Sequence, residues 1–213
     1  TVSQSTDAPT GHTHSLKYLN NSGVTPNNTH YYWIGQRIEG YNTAATGWNT
    51  PFGKHCTLSF WVKSSAPGVW AGSIKKGGSG WEVTNSASIN IQFDIGTSRT
   101  SDLGADTIGK WQTHNTYTHN DTILPITRIH GITGATWYLT GVQFEPGRVA
   151  TPFEQKSFGE ELALCRRYFY KPHMDTLLWP AYQYHNNHKM QVVQFPVEMR
   201  ATPTCTATWN TSG

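Results

Sequence analysis

Acidic side chains capable of catalysis are scarce in this chain of 213 residues, which has thirteen Asp and Glu in total. The one local cluster near the end of a predicted strand is Asp94, Asp102 and Asp106. A glycosidase needs two carboxylates facing each other across a sugar-sized cleft. These acids fit solvated loop residues better, and a calcium site formed by Asp102, Asp106 and backbone carbonyls is the alternative. Catalysis is the least favoured reading.

Histidine pairs are the next candidates for chemistry. His12 and His14, and then His185 and His188, have spacings at which two imidazoles could share a metal ion. Ten histidines make such pairs common by chance, and no Cys or acid completes a strong signature. Nucleophile-elbow, Walker and dinucleotide-binding motifs are also missing from the sequence. We therefore expect no enzyme and no resident cofactor.

Aromatic residues offer a better indication of function, because flat rings stack on the apolar faces of sugars while neutral polar groups bond the hydroxyls. Nine Trp and ten Tyr accompany many Asn, Gln, Ser and Thr residues. The alternative for each ring is a place in the core or in a subunit interface. The candidate ligand-binding residues lie in or beside polar, turn-rich segments: Trp48, Trp70, Trp81, Trp179 and Tyr182.

Charge and hydropathy exclude several classes of partner. Only 14% of the residues are charged, against roughly 25% in an average globular protein. The formal net charge is +3 and the Lys and Arg residues are scattered, whereas nucleic-acid binding needs clustered cations. No segment approaches the roughly twenty apolar residues of a membrane span. We expect a soluble protein with a neutral, polar surface. The three widely spaced cysteines (Cys56, Cys165 and Cys205) are expected to be buried thiols.

Short strands at regular intervals must position these residues. Alternating apolar residues predict strands at 30–39, 56–63 and 89–95, and shorter signals mark 111–117 and 123–132. Residues 16–19 suggest an edge strand, residues 40–55 a loop, and the turn Ala66-Pro-Gly a strand returning over 69–75. This pattern predicts an all-β, antiparallel β-sandwich, and a jelly roll is the topology that we favour.

The segment 137–170 predicts the end of this sandwich and a helix beyond it. Trp137 and Leu139 alternate in register, and a slip at Gly141 before Val142 and Phe144 predicts a β-bulge. After the turn at Pro146-Gly, Ser157 and Glu160 have the spacing of a capping box. The helix that follows should run to Pro172 and bury one apolar face, formed by Phe158, Leu162, Cys165 and Phe169.

The last part of the chain predicts a small β segment. Residues 190–200 alternate apolar and polar side chains, and Pro196 within them implies an edge or bulged strand. Residues 204–209 could pair with it, although two or three strands make a poor independent domain. The predicted organisation is therefore a jelly roll at 1–155, a linking helix at 156–171 and a small C-terminal β segment at 172–213. We expect this segment to pack on the sandwich, on another subunit or on sequence outside this chain.

Several of these runs, in this order, resemble the distal region of tail-fibre and related structural proteins of tailed bacteriophages. The sandwich also resembles the jelly roll of carbohydrate-binding modules. The first resemblance implies an external virion component in trimeric fibres that displays a binding surface to the host cell, without a fixed set of ligand residues. The runs that carry it are Asp7-Ala-Pro, Thr57-Leu-Ser-Phe-Trp-Val-Lys-Ser, the strand opening at Trp111, Tyr138-Leu-Thr-Gly-Val-Gln-Phe-Glu, Val149-Ala-Thr-Pro-Phe-Glu, Gly159-Glu-Glu-Leu-Ala-Leu-Cys-Arg-Arg-Tyr-Phe-Tyr and Phe195-Pro-Val-Glu-Met-Arg-Ala-Thr-Pro-Thr.

Three hypotheses follow. The first is a non-enzymatic tail-fibre module that binds a host-surface glycan, works as a homotrimer and contacts other virion proteins. The second is a purely structural decoration or adaptor protein of the virion, whose rings serve subunit contacts. The third is a carbohydrate depolymerase.

Overall fold

The computed structural model describes residues 1–25, 32–47, 50–76, 89–95, 129–172, 182–185, 188–190 and 194–206. The chain divides into two compact units, Thr1–Phe153 and Glu154–Gly213. The described strands are β1 (Val2–Ser5), β2 (Ser15–Leu19), β3 (Trp33–Ile38), β4 (Cys56–Ser64), β5 (Gly72–Lys76), β6 (Ile89–Asp94), β7 (Thr136–Pro146), β8 (Tyr182–His185) and β9 (His188–Met190). The helices are α1 (Gly40–Thr43) and α2 (Phe158–Arg166), with 3-10 turns at Ala44–Thr46 and Ile129–Gly131.

Two antiparallel sheets build the first unit. Sheet one has the order β1-β2-β7-β4 and sheet two the order β3-β6-β5. Their inner faces share one core, in which the Phe93 ring of sheet two lies 5.9 Å from the Trp137 ring of sheet one and 4.9 Å from that of Phe60. Trp137 is only 2% exposed. The expected all-β, sandwich-like architecture is confirmed, and the jelly-roll connectivity stays a prediction.

The bulge predicted in β7 is present. Ser59 pairs with Gln143 and Trp61 with Thr140, so that Phe60 lies opposite two residues, Gly141 and Val142. Gly141 has φ +59°, a left-handed conformation that glycine adopts without a steric penalty. The extra residue returns Val142 and Phe144 to the side of the core.

Several strands have neighbours other than those expected. β2 is not an edge strand, because it lies between β1 and β7. The edge is β1, whose exposed residues show no apolar alternation because neither of its faces is buried. β5 does not return along β4 but pairs with β6 in sheet two. Of the predicted strand 123–132, the structure describes residues 129–132, and these begin with the 3-10 turn Ile129–Gly131 instead of a strand. The predicted strand 111–117 lies outside the described residues.

Burial and local structure also differ from expectation in two segments. In β6 the polar Gln92 and Asp94 are buried as well as the isoleucines, so both faces of this central strand are covered rather than one. The expected loop 40–55 contains α1 and a 3-10 turn. The Thr43 and Thr46 hydroxyls donate to the carbonyls three residues before them, which stabilises these tight turns.

The second unit begins with the predicted capping box. The Glu160 N–H donates to Ser157 Oγ, and Ser157 N–H donates to the Glu160 carboxylate at 2.8 Å. The helix ends at Arg166 rather than at Pro172. Just beyond its end, the N–H of Arg200 donates to the carbonyl of Arg167 at 3.0 Å. The Tyr170 ring packs against Phe195 at 6.0 Å.

The expected apolar face of α2 is not buried, and no residue of the helix is. Phe158 is 81% exposed and Phe169, beyond the helix end, is 72% exposed. The cysteines also differ from expectation, because Cys165 and Cys205 are exposed and Cys56 is only half-buried.

The predicted strand at 190–200 is also wrong. β9 ends at Met190 and pairs with β8, while residues 194–206 form no ladder. The apolar alternation is nevertheless present in this segment, which has no strand pairing: Phe195, Val197 and Met199 are half-buried, and their neighbours are exposed. Pro196 has no N–H to donate. The described part of the predicted strand 204–209 is irregular.

Candidate functional site

Most of the site residues that the sequence predicts lie outside the described residues: Trp48, Trp81, Trp179, Asp102 and Asp106. Tyr182 begins β8, where the structure describes the backbone alone. Trp70 lies before β5 and packs on the core, with its ring 6.3 Å from that of Trp137.

The two members of the first histidine pair have different neighbours. The His12 ring packs on Phe153 at 5.1 Å, and His14 Nδ1 bonds the neighbouring Thr13 hydroxyl. Within the described ranges, no three His, Cys, Asp or Glu side chains are grouped as a metal site would require.

A pocket of about 700 Å³ opens at one end of the first unit. β2 with the residues after it, the start of β3 and the 3-10 turn Ile129–Gly131 form its walls. Among the described residues that line it, none is Asp, Glu, Lys or Arg. The side chains that determine its chemistry are Tyr18, Asn20, Asn21, Tyr32, Trp33 and His130.

A tyrosine and histidine cluster forms the floor of the pocket. The Tyr18 hydroxyl lies 2.6 Å from His130 Nδ1, and the Tyr32 ring stacks on the imidazole with centroids 3.4 Å apart. Burial raises the pKa of Tyr18, and the nearby Tyr32 adds to this effect. The Tyr18 hydroxyl therefore stays protonated at neutral pH and available to donate.

Asn20 positions His130. This buried side chain donates from its amide nitrogen to three carbonyls of one turn, those of Ile129 (3.2 Å), His130 (2.8 Å) and Ile132 (2.9 Å). The N–H of His130 donates to the carbonyl of Ile95, which ties the same turn to sheet two. A turn with several fixed backbone bonds keeps the imidazole in one place.

Trp33 provides an exposed ring at the pocket wall and is 43% exposed. A Cβ added at Gly35, the next residue on the same face of β3, would lie 2.8 Å from Trp33 Cζ3 and 3.0 Å from Cε3. The indole therefore lies down over the strand at Gly35, where only glycine leaves room. Asn21 and Ser22 line the same pocket and bring neutral polar groups near this ring.

This arrangement offers groups that can bind a polar ligand. Aromatic faces, an imidazole and amide groups can stack on a sugar and bond its hydroxyls. In the described lining no pair of carboxylates is present for glycoside hydrolysis. The pocket can therefore hold a neutral polar ligand.

Trp33 belongs to the predicted strand 30–39 but is not among the ligand residues expected from the sequence. His130 was expected in the strand 123–132. Tyr18 and His130 are 112 residues apart in the chain, so no local pattern could reveal their hydrogen bond. The sequence feature that could have indicated Trp33 is the glycine two positions after it, Gly35, which leaves room for the indole.

Searches against family models, curated proteins and solved structures found no match to this chain. Among the described residues, no helix has the length and apolar character needed to span a membrane.

Proposed function

We propose that this chain is a non-enzymatic recognition module of a phage virion, carried on a tail fibre or another external appendage, which binds a neutral glycan of the host surface in the pocket of its first unit. The exposed Trp33 ring beside the Tyr18–His130–Tyr32 cluster carries the proposal. The resemblance to tail-fibre proteins supports the location in the virion. A jelly-roll connectivity of the first unit belongs to the same proposal.

The chemistry of the pocket supports a neutral sugar. The face of Trp33 offers a stacking surface for the C–H groups of a pyranose, and Asn21 and Ser22 offer groups that bond hydroxyls. The described lining contains no Lys or Arg side chain that could pair with an acidic substituent. A shallow site of this kind binds weakly by itself, and several linked copies raise the effective affinity.

A subunit contact belongs to the same proposal. Several apolar side chains of the second unit are exposed, and assembly of copies of the chain would cover them. We propose a homotrimer, with other virion proteins as further partners. The residues concerned are Phe158, Leu164, Tyr168 and Phe169.

A purely structural decoration or adaptor role is the second candidate, and one observation favours it: Trp70, a predicted ligand residue, packs on the core. A depolymerase has less support, because the described pocket lining lacks carboxylates. A calcium site at Asp102 and Asp106 stays a prediction from the sequence.

Neutral-glycan binding by Trp33 variants distinguishes these candidates. On an array of neutral oligosaccharides, Trp33→Ala should weaken binding about tenfold, the equivalent of about 1.4 kcal/mol, because the stacking face is lost. The matched control is Phe52→Ala, which removes an 83% exposed ring outside the pocket and should leave binding unchanged. Absence of binding by the unaltered protein would favour the structural role, whereas unchanged binding by Trp33→Ala would place the glycan site outside this pocket.

A further inference from the structure

The outward face of sheet one carries a row of charged and aromatic side chains. Lys17 of β2 pairs with Tyr138 of β7, and Tyr138 pairs with Lys63 of β4, so one line crosses three strands. The ammonium groups of Lys17 and Lys63 lie 5.7 and 5.6 Å from the centroid of the Tyr138 ring. At this distance the ring attracts both cations and holds them at its two sides.

This row retains positive charge. Lys63 forms an ion pair with Asp7, with its Nζ 2.7 and 2.9 Å from the two carboxylate oxygens. That is the one salt bridge found among the described residues, so Lys17 has no carboxylate partner there. Because one aspartate faces two lysines, the row has a net charge of +1, which can attract an anionic ligand.

An exposed indole lies beside the row. Trp61 pairs with Thr140, one step along the outward face from Lys63 and Tyr138, and is 58% exposed. Trp61 of β4 is a diagonal neighbour of Tyr138 on the adjacent strand β7, and aromatic side chains bridge such a separation. Lys17 lies one strand further, on β2, so a ligand must span about 10 Å, two strand spacings, to contact both Trp61 and Lys17.

The bulge at Gly141 makes room for this indole. A Cβ at Gly141 would lie 3.1 Å from Trp61 Cδ1 and 2.7 Å from His12 Cε1. The His12 ring packs in turn on Phe153. Because glycine has no side chain, the Trp61 and His12 rings can both lie against the backbone at the bulge.

We propose that this surface, the lysine–aromatic strip of Lys17, Tyr138, Lys63, Trp61 and His12, is a second saccharide site that binds an acidic sugar. One ring of the saccharide stacks on Trp61, and the carboxylate of a neighbouring ring meets the ammonium of Lys17 across β7. This site lies on the outward face of sheet one and does not depend on the neutral pocket, whose described lining holds no Asp, Glu, Lys or Arg. The two sites would therefore select different chemical classes of glycan.

Calorimetric titration of the full chain with a trimer of galacturonic acid, and with a trimer of galactose as the neutral probe, tests the proposal. The acidic trimer should bind the unaltered protein and bind more weakly as salt is raised, since exposed charges are screened. Trp61→Ala and Lys17→Gln should each lower its affinity about tenfold or more, whereas Lys17→Arg should retain most of it because the charge stays.

Two matched controls locate the site. Lys54→Gln removes the same charge from an exposed loop off the strip and should leave the affinity for the acidic trimer unchanged. Trp33→Ala should also leave it unchanged, so failure of the neutral pocket and failure of the strip are distinguishable. Thermal unfolding of each variant identifies any general loss of fold, and the Lys17→Gln and Lys54→Gln pair decides the result even if Trp61→Ala is unstable.

The proposal is wrong if the acidic trimer does not bind, if Lys54→Gln weakens binding as much as Lys17→Gln, or if only Trp33→Ala abolishes it. A fall in the molecular mass of the native particle on Trp61→Ala would show that the strip is instead covered by a second copy of the chain.

Discussion

Asn20 is the residue on which the geometry of the pocket depends. Its amide bonds three carbonyls of the turn that carries His130, and the imidazole then meets both Tyr18 and Tyr32. A single buried side chain therefore links β2, the turn and the aromatic cluster. The exposed Asn21 beside it donates from its side-chain amide to the Thr1 hydroxyl.

We expect Asn20→Ala to lower the free energy of unfolding of the first unit by about 1–3 kcal/mol, because buried carbonyls lose their donor. Urea denaturation followed by tryptophan fluorescence measures the loss. Asn21→Ala removes an equal side chain from an exposed position and should cost less than about 0.5 kcal/mol. Equal losses in the two variants would contradict a positioning role for Asn20.

Gly141 is the second residue with a specific structural role. Gly141→Ala should be destabilising for two reasons: the left-handed backbone costs roughly 1–2 kcal/mol for a residue with a Cβ, and that Cβ would meet the His12 ring at 2.7 Å. Thermal unfolding measures both together. Gly134→Ala separates them, because Gly134 also has positive φ (+78°) but nothing within 4 Å of an added Cβ. If the two variants lose the same stability, the contact with His12 is unimportant.

At the scale of elements, the extended segment after β7 is tied back onto that strand. The carboxylate of Glu145 accepts bonds from the Thr151 hydroxyl (2.6 Å), the Thr151 N–H (2.9 Å) and Gln143 Nε2 (2.9 Å). Phe153 then packs on His12 of the same unit. Short-range polar bonds thus set the course of the chain at the end of the first unit.

These bonds make the segment sensitive to acid. The bond from the Thr151 hydroxyl, followed by those from its N–H and from Gln143, holds the pKa of Glu145 below its usual value. A depressed carboxyl pKa stabilises the folded state above the ordinary glutamate pKa of about 4.3, and that stabilisation is lost as the pH falls through the lower, folded value. We expect the bonds to Thr151 to open over that acid range.

NMR titration of the Glu145 carboxyl carbon measures this effect. Thr151→Val should raise the pKa of Glu145 toward its usual value, because the hydrogen bond from the Thr151 hydroxyl, which lowers that pKa most, is removed. Thr50→Val removes a threonine hydroxyl that bonds only its own turn and should leave that pKa where it is. An unchanged titration in Thr151→Val would mean that another group lowers the pKa.

At the scale of the whole molecule, the distribution of exposed apolar residues predicts assembly. A second unit whose helix buries none of its residues gains stability if copies of the chain cover them. Both proposed sites lie in the first unit, so assembly through the second unit would present several copies of each site together. That geometry would turn weak single contacts into strong attachment.

We expect sedimentation velocity to find a trimer for the unaltered protein and a smaller particle for the double variant Phe158→Ser, Phe169→Ser, because the contact loses its two most exposed rings. The control is Phe52→Ser, which removes an equally exposed ring from the first unit and should keep the trimer. A monomeric unaltered protein would contradict the proposed fibre. An unchanged mass in the double variant would place the contact elsewhere.

The sequence by itself determined the features that depend on near neighbours. The alternation in β4 and β7, the glycine bulge at Gly141, the turn after Pro146 and the capping box of α2 were all predicted from spacings of one to four residues. The reason is physical: a strand face repeats every second residue, and a cap joins residues three apart. The all-β class followed from several such signals in succession.

Only the tertiary structure decided which elements meet. β5 joins sheet two, β2 becomes an interior strand, and residues 194–200 pack without a ladder, because each outcome depends on partners far away in the chain. The pocket has the same origin, since Tyr18 lies on sheet one, Trp33 on sheet two, and His130 on the turn that is bonded to Asn20 and to Ile95. Hydrophobic alternation shows that a face is buried, but it carries no information about the surface that covers it.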